Sequence, residues 1–310
     1  MAENTPTVTP TPIAQQRNRL TPEKKKQHPK SEKGVLALER TLVYIFLILL
    51  TILCLVPFWI LFVNASRTTP EIRSSFSFIP GGAFFTNLNN LFHTDNFPVG
   101  RALVNSMLIA FCSAILSTYF SALTAYATEV YQFKLKKFVE TFILAIMMIP
   151  TQVATMGLVM ICMQANLFNQ FWIIILPSIA APTVYFYMKQ YLASVLPYEI
   201  VEAARVDGAG ELRIFHTIIL PILKPAIAVQ FIFAYVASWN NYFMPSMLLK
   251  DASTYTIPIL IGQLQSSSPD TFDLGKIYML MFIAVFPTLL IYLIFSRGII
   301  KNLTNGAVKG

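Results

Sequence analysis

Residues 196–221 read LPYEIVEAARVDGAGELRIFHTIILP, a polar stretch with charges of both signs set between two long apolar runs. Pro197 suits the opening of a helix, because its fixed φ matches the first turn and its missing N–H would be unpaired there anyway. The spacing predicts a helix from Pro197 to about Asp207, a cap at Gly208 where a permissive backbone is needed, and a looser exit at Gly210. A second helical segment then starts at Glu211 and ends at Pro221. A helix of about ten residues is too short to hold alone in water. Small Ala203 and Ala204, flanked by Ile200, Val201 and Val206, let another surface come close, so the stretch reads as a docking helix.

Its surroundings are apolar. Hydrophobic residues make up 55% of the chain and charged residues 12%, a balance that excludes an ordinary soluble domain and leaves an integral membrane protein. Apolar runs long enough to cross a hydrocarbon layer of about 30 Å fall near residues 41–63, 102–127, 138–163, 171–192, 226–249 and 277–295. The expected fold class is therefore all-α, with six transmembrane helices over residues 41–296 and the polar loop, 193–222, between the fourth and fifth. Residues 1–40, with Thr-Pro repeats and a basic run at Lys24, Lys25 and Lys26, read as a disordered tail. Residues 297–310 form a second tail. A short interfacial helix is expected near residues 84–92.

Lysine and arginine set the orientation. With the N-terminus inside, 18 of the 23 basic residues lie on the cytoplasmic side, and Arg67, Arg73, Arg101, Lys250 and Lys276 remain outside. Both termini are then cytoplasmic, and so is the loop at 193–222. Topology also accounts for the net charge of +8 without nucleic acid.

The spans hold no ionisable residue near their middle, which counts against a proton relay but leaves sodium coupling through broken helices open. They do hold uncharged polar groups beside helix breakers: Pro150-Thr151-Gln152 in the third, Pro177 and Pro182 in the fourth, and Trp239-Asn240-Asn241-Tyr242 ahead of Pro245 in the fifth. Kinked helices can line a cavity, and rings with amides suit a neutral polyhydroxylated solute. The same amides also serve to join helices, and Ser117, Ser121 and Ala125, spaced by four, read as a packing face. Cys54, Cys112 and Cys162 sit in apolar runs, and no histidine or cysteine spacing suggests a metal. There is no phosphate-binding Gly-x-x-x-x-Gly-Lys-Ser/Thr loop and no nucleophile elbow, so no ATP site or enzyme chemistry is indicated.

In the loop, Glu202-Ala203-Ala204, then Gly208, then Ile218, Leu220 and Pro221 resemble the signature of the permease subunits of ATP-binding-cassette importers. Asn105-Ser106, Ala125-Tyr126-Ala127, Ile149-Pro150-Thr151-Gln152, Ser238-Trp239-Asn240 and the final Gly306-Ala307-Val308-Lys309-Gly310 are similar to the carbohydrate branch, of the maltose permease G type. The resemblance implies a multi-pass protein of the bacterial cytoplasmic membrane. It also implies a heterodimer with a second permease, two ATPase subunits that bind the ATP and Mg, and an extracytoplasmic solute-binding protein. Glu202, Ala203, Ala204, Asp207, Gly208, Ile218, Leu220 and Pro221 would couple to the ATPase. Gln152, Trp239, Asn240, Asn241 and Tyr242 are candidates for the solute pathway. The competing readings are an ATP-independent carrier or channel, whose loop would be an incidental connector, and a membrane scaffold.

Overall fold

The computed structural model describes residues 30–94, 97–266 and 273–307, with side chains over 39–94, 97–266 and 273–296. The described residues are helical, joined by turns and loops, with no strand among them. The chain divides into two units, residues 1–56 and 57–310. Of the first, residues 30–56 are described, and they are the leading part of α1 (Lys30–Ala65). The expected tail at 1–29 lies outside the described residues, whereas 30–40, expected to be disordered, continue the helix. Leu42, Tyr44, Phe46, Leu49 and Leu53 are all exposed, a surface suited to lipid or to another membrane helix.

In the second unit, α2 (Thr69–Ser74) and α3 (Phe84–Phe92) follow α1, the latter at the residues where a short helix is expected. Long α4 (Val99–Val130) then runs through the bundle. Its buried residues are mostly small, among them Ala102, Ala110, Ala114, Ser117, Ser121, Ala122 and Ala125. Without a hydrophobic force between helices in lipid, such residues stabilise packing by letting backbones approach. The helices Pro182–Val195 and Leu220–Trp239 pack most extensively on it.

The third span is not one helix. α5 (Lys136–Ile146) and α6 (Thr151–Gln164) meet at 92°. Before the break, Met147, Met148 and Ile149 each donate to the carbonyl three residues back, which tightens the turn, and Pro150 then caps α6. The residue before a proline avoids helical backbone, so the chain turns here and does not merely kink.

α7 (Phe171–Ile175), a 3-10 turn (Leu176–Ile179) and α8 (Pro182–Val195) make the fourth span, interrupted at both expected prolines. After α9 (Tyr198–Val206), the chain runs without a break from α10 (Glu211–Ile214) through a π turn (Phe215–Ile219) into α11 (Leu220–Trp239). Pro221 therefore does not end a helix, and the fifth span covers 211–239, not 226–249. In the widened turn the Leu220 N–H reaches back five residues to Phe215, and this irregular pairing absorbs the N–H that Pro221 lacks. Pro245 belongs to a separate helix, α12 (Phe243–Leu248). α13 (Ile257–Gln265) and α14 (Leu274–Ala307) complete the fold, and α14 runs past the expected end of the span. Among the described residues, five helices are long and apolar enough to cross a membrane, and α5 with α6 makes a sixth where the bent pair counts as one span.

Polar side chains fix the link from α12 to α13. Asn105 donates to the Ser253 and Tyr255 carbonyls at 3.0 and 2.9 Å, and Ser106 Oγ accepts from the Ile257 N–H at 2.8 Å. From the α6–α7 turn, Asn169 Oδ1 accepts from the Lys250 and Asp251 N–H groups at 2.6 and 3.0 Å.

Candidate functional site

The α9 loop is a closed unit. Pro197 is its N-cap, not its first helical residue, and Asp207 is its C-cap. Gly208 has φ +79, the left-handed backbone that its position requires. Its N–H bonds to the Arg205 carbonyl at 3.0 Å and that of Ala209 to the Ala204 carbonyl at 2.9 Å, which is the paired closure of a Schellman motif. An added Cβ at Gly208 would meet nothing within 4 Å, so any substituent would suffer backbone strain and project into open space.

One side of α9 is pinned. Val201, 1% exposed, packs in a core with Leu192, Ile214 and Phe215, and Ala204 rests against that core. Glu211 ties the loop to α4: Tyr126 donates to its Oε2 at 2.5 Å, and Arg205 Nε donates to its Oε1 at 2.8 Å. The hydrogen bond to Glu211 holds the Arg205 guanidinium above its ordinary pKa, and its carbon sits 5.3 Å from the centre of the Tyr131 ring. At the start of the helix, Tyr198 donates to Glu129. The other side is bare. Val206 is 87% exposed and Leu212 66%, and Ile200, Glu202, Ala203, Asp207 and Gly208 are also exposed.

The structure thus gathers Glu202, Ala203, Ala204, Asp207 and Gly208 on one short loop. Ile218, Leu220 and Pro221 lie at the base of the fifth span instead, the first two half-buried and Pro221 exposed. Sequence reasoning missed Tyr126, Arg205 and Glu211. An acid in the first turn after Gly210, six residues from Arg205, was the available signal.

A cavity of about 690 Å³ opens between α4, α6, the fourth span, the end of α11 and α12. Ser113, Ser117, Thr151, Gln152, Ser178 and Asn241 give it polar groups, and among the described residues no Asp, Glu, Lys, Arg or His lines it. Asn240 and Tyr242 line a second cavity of about 390 Å³ beside α13. Trp239 joins neither. It is 3% exposed and stacks on Tyr235 with ring centres 5.9 Å apart.

Residues 117–300 match the family described as binding-protein-dependent transport system inner membrane component. The chain belongs to this family. Among these inner-membrane components, it is 29% identical over 272 residues to the arabinooligosaccharides transport system permease protein AraQ of Bacillus subtilis, covering 86% of this chain and 94% of the relative. It is 28% identical over 267 residues to the sn-glycerol-3-phosphate transport system permease protein UgpE of Yersinia pestis, covering 84% and 95%. In fold it is similar to a chain of a bacterial ABC transporter involved in the import of the acidic polysaccharide alginate, with a TM-score of 0.71 at 17% identity over 87% of this chain and 98% of the other. A transport permease is what this family membership means.

Proposed function

We propose that this chain is one of two unlike permease subunits of an ATP-binding-cassette importer for a neutral sugar or oligosaccharide. Two separate ATPase subunits hold the ATP and Mg, an extracytoplasmic binding protein delivers the solute, and lipid surrounds the spans. The chain itself catalyses no reaction, binds no cofactor and contacts no nucleic acid. Both termini and α9 face the cytoplasm.

The observation that carries this reading is the two-sided character of α9. Its inner side is locked to α4, α8 and α10 through Val201, Tyr126, Glu211 and Arg205, so a push on the loop is passed to three helices. Its outer side offers Ile200, Ala203 and Val206, apolar and exposed, to a partner. Motion of α9 then tilts the walls of the 690 Å³ cavity, in which Gln152 and Asn241 are the solute contacts.

The uncharged lining favours a neutral cargo. A phosphate or uronate left without a cation in such a site would cost several kcal/mol, whereas sugar hydroxyls find amides and hydroxyls there. Of the cargoes in the relatives' names, arabinooligosaccharides fit this chemistry better than sn-glycerol-3-phosphate.

Val206→Asp tests the coupling role, because it puts a charge on the exposed face without touching the pinned one. Expressed with its partners, the variant should insert normally, lose the co-purifying ATPase and lose uptake. Full ATP-driven uptake by this variant would remove the basis for the proposal.

A further inference from the structure

The smaller cavity has its own construction. Tyr242 lies along α13 at Gly262, where an added Cβ would come within 2.8 Å of Tyr242 Cε2 and 3.2 Å of its oxygen. Only glycine leaves the ring that seat, and the ring is 49% exposed. Pro258 and Ile261 supply apolar surface, Asn240 and Gln265 supply amides, and among the described residues no Asp, Glu, Lys, Arg or His lines the space. Asn240 Nδ2 is used by the Val236 carbonyl at 3.0 Å, which leaves its Oδ1 to accept from a solute hydroxyl. A volume of about 390 Å³ falls within the range of about 300–1,000 Å³ typical of small-molecule sites.

Neighbouring residues divide between the two cavities, Asn240 on the small one and Asn241 on the large. The small cavity stands at the α12–α13 end of α11, the end away from α9, and the large one reaches back along α4 to Ser117.

We propose that Tyr242, seated on Gly262 and flanked by Asn240 and Gln265, is a stacking site for one neutral sugar ring, which a solute occupies before it enters the larger cavity. The ring takes the apolar face of the sugar, and the amides take hydroxyls at its edge. This rests on the importer reading above and adds a defined first stop on this chain. It also fixes a rule of selection: a compact phosphorylated solute with no ring face gains nothing from Tyr242 and meets no cation.

The test uses the complete importer in proteoliposomes with its binding protein, ATP and radiolabelled arabinotriose. Tyr242→Ala should lower uptake at saturating binding protein about tenfold while stimulated ATP hydrolysis stays within about twofold. Gly262→Ala, which drives the ring from its seat, should fall with it, and Tyr242→Phe should keep uptake within about twofold of the parent. Unchanged uptake by Tyr242→Ala, or an equal loss in Tyr242→Phe, overturns the stacking site. Should Tyr242→Ala not assemble, Tyr242→Trp keeps a stacking ring and reports directly. Its emission, taken as the difference from the parent importer, should shift on addition of arabinotriose and not on addition of glycerol 3-phosphate, and no shift, or the same shift with both, overturns the site. A parent importer that moves glycerol 3-phosphate and no neutral sugar sinks the neutral-sugar reading and this site with it, whereas active parent transport with an unaffected Tyr242→Ala sinks the stacking site alone.

Discussion

Glu211 shows how much of the site rests on single groups. Its two oxygens take Tyr126 from α4 and Arg205 from α9, so removing one donor leaves the other in place. A hydrogen bond to a charged group contributes about 1.5–3 kcal/mol, and the carboxylate's 42% exposure places Tyr126→Phe at the low end of that range. Tyr235 supplies the control. Its hydroxyl is buried with no hydrogen-bond partner among the described residues, so Tyr235→Phe gives up no bond and removes a buried polar group. Thermal denaturation of the purified assembly should therefore show a lower midpoint for Tyr126→Phe and an unchanged or higher one for Tyr235→Phe. Equal losses in the two would remove the special role of Glu211. Gly208 was legible in the sequence because a left-handed cap is a local requirement that few residues meet. The Tyr126–Glu211 contact was not, because its partners stand 85 residues apart and meet only through the packing of α4 on the loop.

Among the elements, prolines mark what the sequence could and could not reveal. Six apolar runs could be counted from composition, and the small-residue face of α4 could be read from its spacing. Where each run starts depended on how a proline is accommodated: Pro150 ends a segment after a tightened turn, while Pro221 and Pro225 ride inside a helix whose preceding turn is widened. That choice is made by backbone pairing with the surroundings, which the residue type does not state. Bent α5 is held by a contact of its own. Lys189 Nζ of α8 lies 2.6 Å from Glu140 Oε1, an ion contact off the hydrogen-bonding direction, with side chains 20% and 23% exposed. Reversing one charge sets like charges together in a site with little water. Lys189→Glu should cost about 3 kcal/mol or somewhat less, given the residual exposure, and lower the yield of folded protein. The double change Glu140→Lys with Lys189→Glu should restore most of it. Fluorescence-detected size exclusion of the parent, Glu140→Lys, Lys189→Glu and the double variant completes the cycle, and additive losses would mean that the pair does not join α5 to α8.

For the whole molecule, the decisive quantity is the direction in which it crosses the membrane. Tyr198 of α9 bonds to Glu129 at the end of α4, so the α4–α5 turn and the α9 loop share one end of the bundle, while α2 and α13 belong to the other. The α9 end carries Lys134, Lys136, Lys137, Lys189, Arg205, Arg213 and Lys224. At the opposite end, Arg67 is only 7% exposed, and its guanidinium donates to the Glu71 and Ser75 carbonyls at 2.8 and 2.9 Å, so one of the five cations there is spent on holding the loop after α1. The excess of lysine and arginine at the α9 end is the ground for proposing that this end faces the cytoplasm. A membrane-impermeant maleimide distinguishes the two orientations in intact cells, once Cys54, Cys112 and Cys162 are replaced by serine. Ser74→Cys on α2 should label without treatment, and Gln132→Cys in the α4–α5 turn only after the membrane is opened. Both positions are exposed in the chain, so access to the reagent is set by the membrane and not by packing. The reverse pattern would place α9 where no cytoplasmic ATPase can reach it, and the pinned loop would then need another partner altogether.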